Sequence, residues 1–303
     1  MKIVMICRKG KIGGVTSSVG NLVSNLRSDG HKVIWPKFLV PYFYCDIVHL
    51  HFSNPKIVAI FAKFFRLFGR RIIWTVHHSR LDATLVRSHK KALAVVDGVI
   101  FLNEGIHQKN ASCLSPDVKV EILTPVVGKQ IQDVSRVRSL KDYVSLLLYA
   151  SKRSYDLGEV YGIEWTLGNL EFYPDNWNFT VVDPSGEYRD YIPKTSRVTY
   201  IRRADNFCET LAVHDVYLRP TSTDGQSVAI LESLGVGTPV VASNVVPRPQ
   251  GVFLYQHLSL DDYCRAISEA INSQSSPNSL ELSSVKDYQY FFEKCLMPAK
   301  TEP

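Results

Sequence analysis

No run of about 18 or more consecutive apolar residues occurs in the chain, so a membrane-spanning helix is not expected. The opening stretch, MKIVMICRKG, has one lysine and then an apolar run too short for the core of a signal peptide, so no leader is expected either. C-x-x-C pairs are missing. None of the six cysteines (Cys7, Cys45, Cys113, Cys208, Cys264, Cys295) has a close histidine at zinc spacing, which argues against a zinc site or a redox pair. Packed, reduced thiols suit a cytoplasmic protein. There is no G-x-G-x-x-G fingerprint, so a dinucleotide site is not indicated. No nucleic-acid-binding motif and no internal repeat is present.

Acidic residues are scarce in the first half. Residues 1–143 hold 22 Lys and Arg against 9 Asp and Glu, a net +13, residues 144–303 hold 13 against 20, a net −7, and the whole chain carries +6. A half so basic is expected to face something anionic. Of the two such partners, nucleic acid lacks a motif here, and the other is an anionic membrane surface.

What the sequence does have is a repeated β-α-β rhythm. Segments 2–7, 31–35, 46–51, 71–76, 98–102 and 119–123 read as strands. Segments 15–29, 57–68, 83–96 and 104–114 read as helices, the first with Val19, Leu22, Val23 and Leu26 on one face and Gly30 at its end. The rhythm breaks at 125–143, where Pro125, Gly128 and a polar run look like a linker, and then restarts. Strands are expected at 144–149, 178–183, 197–201, 215–218, 239–242 and 251–254, and helices at 158–170, 207–213, 227–236, 260–271 and 282–296. The expected fold is α/β, two Rossmann-like doubly wound domains facing a cleft. Their bounds are 1–130 and 144–281, with a linker at 131–143 and a tail at 282–303.

The chemistry concentrates in residues 215–249, DVYLRPTSTDGQSVAILESLGVGTPVVASNVVPRP. A strand ends at Arg219–Pro220, a polar loop with Gly225 follows, and a helix begins near Gln226 and Ser227. Ligands of open α/β sheets bind beyond the carboxyl ends of the strands. A helix N-terminus there offers free N–H groups and a partial positive charge, which suits a diphosphate. Gly225 permits close backbone approach. Asp224 sits at the helix mouth, and Glu232 lies about six residues inside, roughly 9 Å along the axis. A nucleotide sugar would span the pair, its hydroxyls donating to both carboxylates. The plainer alternative is a helix capped by Asp224 with a solvent-facing Glu232.

The stretch RPTSTDGQSVAILESLGVGTPVVAS resembles the donor-binding block of the retaining nucleotide-sugar glycosyltransferases of the GT-B fold, the large bacterial family-four group. That group places two acidic residues with seven between them ahead of G-x-P-V-V-A-S; Asp224 stands here where a glutamate is more usual. The resemblance implies a retaining hexosyltransferase of surface-polysaccharide assembly. It would move sugar from a nucleotide-sugar donor to a glycan or lipid-linked acceptor. Glu232 would hold the donor ribose hydroxyls. Asp224 would bind hydroxyls of the transferred sugar, aided by N–H groups near Gly225. Gly13 and Gly14 would close over the donor phosphates. His77, at a strand end with His78 beside it, would lie close to the transferred sugar; with Asp224 and Glu232 it forms the expected catalytic set. His49 and His51 are expected to be structural or acceptor-lining. The tail helix is expected to return to the first domain.

The chain departs from that group at the diphosphate. The group's Arg and Lys early in the second domain have no clear counterparts. The strand at 144–149 leads to Ala150–Ser151–Lys152–Arg153, and Asp156–Leu157–Gly158–Glu159 follows where a lysine and glycine are usual. Lys152 or Arg153 is the candidate for the arginine's part, and Arg219 is the nearest candidate for the lysine's. No D-x-D occurs, the motif with which the other glycosyltransferase fold holds a divalent ion. The expectation is a metal-independent enzyme with no cofactor, in which a helix dipole and cations offset the leaving-group charge and displacement is front-face. Two alternatives stay open: a nucleotide-sugar epimerase of the same fold and a non-catalytic partner subunit, the latter favoured by the missing lysine.

Residues 57–71, IVAIFAKFFRLFGRR, are aromatic and basic. They suit either a helix packed on the core or one lying in a membrane interface. In the second case Lys63, Arg66, Arg70 and Arg71 would touch lipid, and the protein would sit at the inner face of the plasma membrane.

Overall fold

The computed structural model describes residues 1–7, 14–35, 44–77, 83–128, 131, 134, 136, 142–155, 158–273 and 282–297. The chain divides into two compact units: Met1–Val126 with Leu282–Pro303, and Val127–Glu281. Eight of the thirteen residues of the linker expected at 131–143 fall outside the described residues, as do Gly13 and His78.

In the first unit, β1 (Lys2–Cys7), β2 (Lys32–Ile34), β3 (Ile47–His51), β4 (Arg71–Val76), β5 (Gly98–Phe101) and β6 (Lys119–Ile122) form one sheet ordered β2-β1-β3-β4-β5-β6. Every pairing in it is parallel. All five residues of β3 are buried, as a sheet covered on both faces requires. One face packs on α2 (Pro55–Arg66), α3 (Ala83–Leu93) and α4 (Glu104–Asn110) through Val48, Leu50, Ile72 and Trp74. The other packs on α1 (Gly14–Ser28) through Ile3, Met5, Ile47 and Ile73.

In the second unit, β7 (Val144–Tyr149), β8 (Ser154–Tyr155), β9 (Gly158–Glu159), β10 (Trp177–Val182), β11 (Val198–Ile201), β12 (Val216–Arg219), β13 (Val240–Ser243) and β14 (Val252–Tyr255) occur in chain order. Six of them form a second parallel sheet, β11-β10-β7-β12-β13-β14, while β8 and β9 make a short antiparallel pair. Alternate residues of β7 face opposite layers. Leu146 and Leu148 meet α5 (Ile163–Gly168) and α8 (Leu260–Asn272). Leu147 meets α6 (Phe207–Ala212) and α7 (Val228–Gly235).

The single helix expected at 158–170 is not formed. Gly158 and Gly162 have φ of +81° and +69°, so the chain turns twice before α5 begins. A Cβ on Gly162 would lie 2.0 Å from the Pro220 carbonyl oxygen, so only glycine lets α5 start against the segment that follows β12.

The last helix, α9 (Val285–Leu296), belongs to the first unit. A capping box holds its start, where Ser284 and Asp287 each accept from the other's backbone N–H. Tyr288, Phe291, Phe292 and Cys295 then fill the same layer as α1. Gly98 makes that fit possible, since a Cβ there would lie 2.5 Å from the Cys295 sulfur. No helix among the described residues is long and apolar enough to cross a membrane.

Candidate functional site

Sheet order locates the site. Counting the six strands of the second parallel sheet in chain order, they lie 3-2-1-4-5-6, and the direction of travel reverses between β7 and β12. Side chains at the carboxyl ends of these two strands border the crevice where α/β sheets hold ligands. Arg219 is the last residue of β12, and α7 begins nine residues later.

The helix mouth sets aside the plainer alternative, in which Asp224 caps the helix. Ser227, not Asp224, is the N-cap, its side chain accepting from the Ile230 N–H. That frees Asp224 for another task. Its Oδ2 and Oδ1 accept from Arg219 Nε and Nη2, each at 3.0 Å. Arg248 Nη1 donates to Oδ2 at 2.7 Å, and the Gly225 N–H donates to Oδ1 at 3.0 Å. A carboxylate has about four lone-pair positions, and all are taken. A sugar hydroxyl would have to displace one of these donors. Burial alone would raise the Asp224 carboxyl, but Arg219 and Arg248 outweigh it and hold it down to about 2. The three side chains are 9%, 10% and 2% exposed for Arg219, Asp224 and Arg248. Two guanidiniums against one carboxylate leave a net positive charge at the end of β12.

Arg248 carried no role in the sequence reading. It follows β13, between two prolines, and also donates to Thr221 Oγ1 at 2.9 Å and to the Ser243 carbonyl at 3.2 Å. An arginine fixed between prolines beyond a strand end was the available signal. Tyr161 was missed as well; its ring lies beneath the Arg219 guanidinium, 4.8 Å from the centroid.

Glu232 is the fifth residue of α7 rather than the sixth, about 6 Å along the axis at 1.5 Å per residue. It is largely buried, and its carboxylate has no hydrogen-bond or ion-pair partner among the described residues. Burial pushes it up to about 7. Burial, and after it the Glu232 charge, push the Cys208 thiol up to about 12. Glu232 also acts on Tyr149, the last residue of β7. The carboxylate is thus carried by the helix that opens after Arg219 and β12.

The candidates for the diphosphate divide. Lys152 is exposed. Arg153 is held elsewhere, with Nε 2.7 Å from Glu164 Oε1 and the guanidinium 3.5 Å from the centroid of Tyr191. Glu159, where the resemblance placed no acid, accepts from the N–H groups of Tyr161, Gly162 and Ile163 at 3.0, 3.0 and 3.3 Å. An internal carboxylate thus occupies the start of α5, which leaves those N–H groups no capacity for a phosphate. Gln226 and Gly225 remain in the loop ahead of α7. A separate cavity of about 460 Å³ lies at the β10–β11 end of the sheet, lined by Ser185, Gly186, Arg189, Tyr200 and Arg202.

In the first unit the histidines form one buried row. His49 and His51 alternate along β3 with Leu50 between them, so they share a face, and their ring centroids are 4.1 Å apart. His51 Nδ1 lies 3.1 Å from His77 Nε2, and His49 Nε2 lies 2.7 Å from Thr75 Oγ1. Burial, then His77, push His49 down to about 3; burial, then His49, push His51 well down. Both rings are neutral at neutral pH. His77 directly follows β4 and meets His51 there, a coupling that residues 26 apart in sequence did not disclose. Gly14 opens α1, directly after segment 8–13, which lies outside the described residues.

No family model matches the chain, and no curated protein matches its sequence. Solved structures match over nearly its whole length. HepE of Anabaena in complex with UDP-glucose is 14% identical with a TM-score of 0.73, over 98% of this chain and 99% of its own. The sucrose-phosphate synthase of Thermosynechococcus elongatus is 15% identical with a TM-score of 0.68, over 97% and 94%. The catalytic domain of starch synthase IV from Arabidopsis thaliana, bound to ADP and acarbose, is 11% identical with a TM-score of 0.64, over 97% and 99%. The likeness identifies the fold as GT-B, two Rossmann-like doubly wound α/β domains.

Proposed function

We propose that the protein is a glycosyltransferase that takes a sugar from a nucleotide-sugar donor held by its second unit. The observation that carries this reading is Glu232. A desolvated carboxylate with no partner among the described residues, beside the reversal of a Rossmann-type sheet, has the chemistry to accept two hydrogen bonds from a ribose diol. The net positive charge of Arg219 and Arg248 and the N-terminus of α7 suit a diphosphate. The fold supports the reading, because structural neighbours are complexes with UDP, with UDP-glucose and with ADP.

In this reading Glu232 orients the ribose, and the end of α7 at Gln226 and Ser227 faces the diphosphate with Arg219, while the Gly225 N–H reaches a phosphate only by leaving Asp224. Asp224 holds Arg219 in place and reaches a sugar hydroxyl only by exchanging one of its present bonds. Lys152 serves as an exposed counter-charge, and Arg153 does so only by leaving Glu164. His77 serves the acceptor side from the first unit. The transfer is of a hexosyl group, metal-independent and retaining. The bond between the anomeric carbon and the diphosphate oxygen breaks, the acceptor oxygen adds on the same face, and the leaving phosphate takes the acceptor proton. The acceptor is a glycan or a lipid-linked sugar of polysaccharide assembly.

Thermal-shift measurements against UDP-, ADP-, GDP- and dTDP-sugars test the donor site, since a ligand that binds only the folded state raises the melting temperature. NMR of the product anomer in a transfer assay tests retention. No shift with any donor, or an unchanged shift in Glu232→Ala, would sink the donor site. An inverted product would sink only the retaining mechanism. A second reading, a non-catalytic partner subunit, is favoured by the filled Asp224 carboxylate and the occupied start of α5. A donor-induced shift without transfer to any acceptor would select it.

A further inference from the structure

Helix α2 has two apolar faces, and only one of them is covered. Pro55, Val58, Ala62 and Phe65 are buried in the core. At about 100° per residue these four share one side and Ile57, Ile60 and Phe64 fall on the opposite side, with Leu67 and Phe68 in the turn that ends the helix. There Ile60 is 68% exposed, Phe64 46% and Leu67 82%. The Phe64 and Phe68 rings stack edge to face with centroids 5.3 Å apart, which joins the patch across the end of the helix. A helix of a water-facing domain ordinarily presents polar residues on that side. The row Lys56, Lys63 and Arg66 runs along one flank instead. The neighbouring helix α3 adds exposed Arg87, Lys90 and Lys91. Neither helix contains an acidic residue.

The basic residues named from sequence do not all contribute. Arg66 and Arg71 share Asp97 at 3.7 and 3.0 Å, and Arg70 donates to the Cys45 carbonyl at 2.8 Å. Lys63, together with Lys56 and the α3 cations, carries the outward charge.

We propose that the α2–α3 face is a docking surface for an anionic lipid bilayer, with Ile57, Ile60, Phe64, Leu67 and Phe68 entering the acyl boundary and the flanking lysines lying among the headgroup phosphates. Charge selects this occupant. A second copy meeting the same face by two-fold symmetry would set cations against cations with no acid between them. A nucleic-acid backbone would satisfy the lysines but leave the aliphatic patch facing water. An anionic bilayer satisfies both. The proposal does not depend on sugar transfer and is read by partitioning alone.

Sedimentation of the full chain with vesicles provides the test, comparing pure phosphatidylcholine with phosphatidylcholine containing phosphatidylglycerol. Wild type should pellet with the anionic vesicles and less so as salt is raised. The triple variant Ile60→Ser, Phe64→Ser, Leu67→Ser should bind at least about tenfold more weakly. The pair Lys56→Glu, Lys63→Glu should lose about tenfold or more on anionic vesicles only. All five positions are exposed, so unchanged melting temperatures are expected and should be confirmed. Equal partitioning of wild type onto both vesicle types, failure to pellet, or a triple variant that binds as wild type would overturn the proposal. So would a wild-type dimer that the triple variant converts to monomer without any effect on vesicles.

Discussion

At the scale of single residues, Glu232 and Asp224 are opposites. Burial raises the Glu232 carboxyl from 4.5 to about 7. Between those values the folded protein holds a proton that the unfolded chain has released, so stability falls as pH rises through the window. The full effect is on the order of 3 kcal/mol. Glu232→Gln should therefore melt like wild type below pH 4.5 and several degrees higher at pH 8. A melting difference that does not grow with pH would show that the carboxyl is well solvated. Donor affinity should move the other way in wild type, strengthening as the carboxylate ionises near pH 7. Asp224 is held down to about 2 by its arginines. Asp224→Ala leaves two buried guanidiniums without their counter-charge, and breaking such a pair costs about 3–5 kcal/mol. A marked drop in melting temperature is expected. Loss of activity in that variant would then report the collapse of the arginine pair as much as a lost sugar contact, so calorimetry should accompany the assay.

At the scale of elements, Gly98 and α9 depend on each other. Gly98→Val should push Phe291 and Cys295 outward, at about 1–3 kcal/mol for overpacking. The check is faster hydrogen exchange in α9 and faster labelling of Cys295, with the second unit unchanged. The parallel strands were legible in the sequence to within a residue or two, because short apolar runs between glycines and polar turns leave few alternatives. Residues 158–170 were not. Val160, Ile163, Leu167 and Leu170 imitate helical spacing, yet they line the same core from a turn, a short helix and a 3-10 turn. The donor-side segment was legible because Arg219, Asp224, Gly225 and Glu232 lie close together in the chain. The partners that fix them were not, since Arg248 meets Asp224 across 24 residues and only the fold brings the ends of β12 and β13 together. The two faces of α2 were equally hidden, because periodicity identifies an apolar residue without saying whether anything covers it.

At the scale of the whole molecule, the two units should answer separately to ligand. A nucleotide-sugar at about 100 times its Kd adds about 2.7 kcal/mol to whatever folds around it. In scanning calorimetry that shift is expected in the transition of Val127–Glu281. Activity should survive EDTA; full loss restored by manganese would contradict the metal-independent reading. The return of α9 also orders events during synthesis. Residues 127–281 form a continuous unit whose sequence is complete before Phe291, Phe292 and Cys295 are added. Until those residues emerge, Ile47, Ile73 and Ile100 lack part of the layer that covers them. The unit begun first is thus the last to close, and nascent chains bear an unfinished apolar surface through most of translation. Chains ending just past residue 281 and released from the ribosome should yield a protease-resistant second unit attached to a digestible first one.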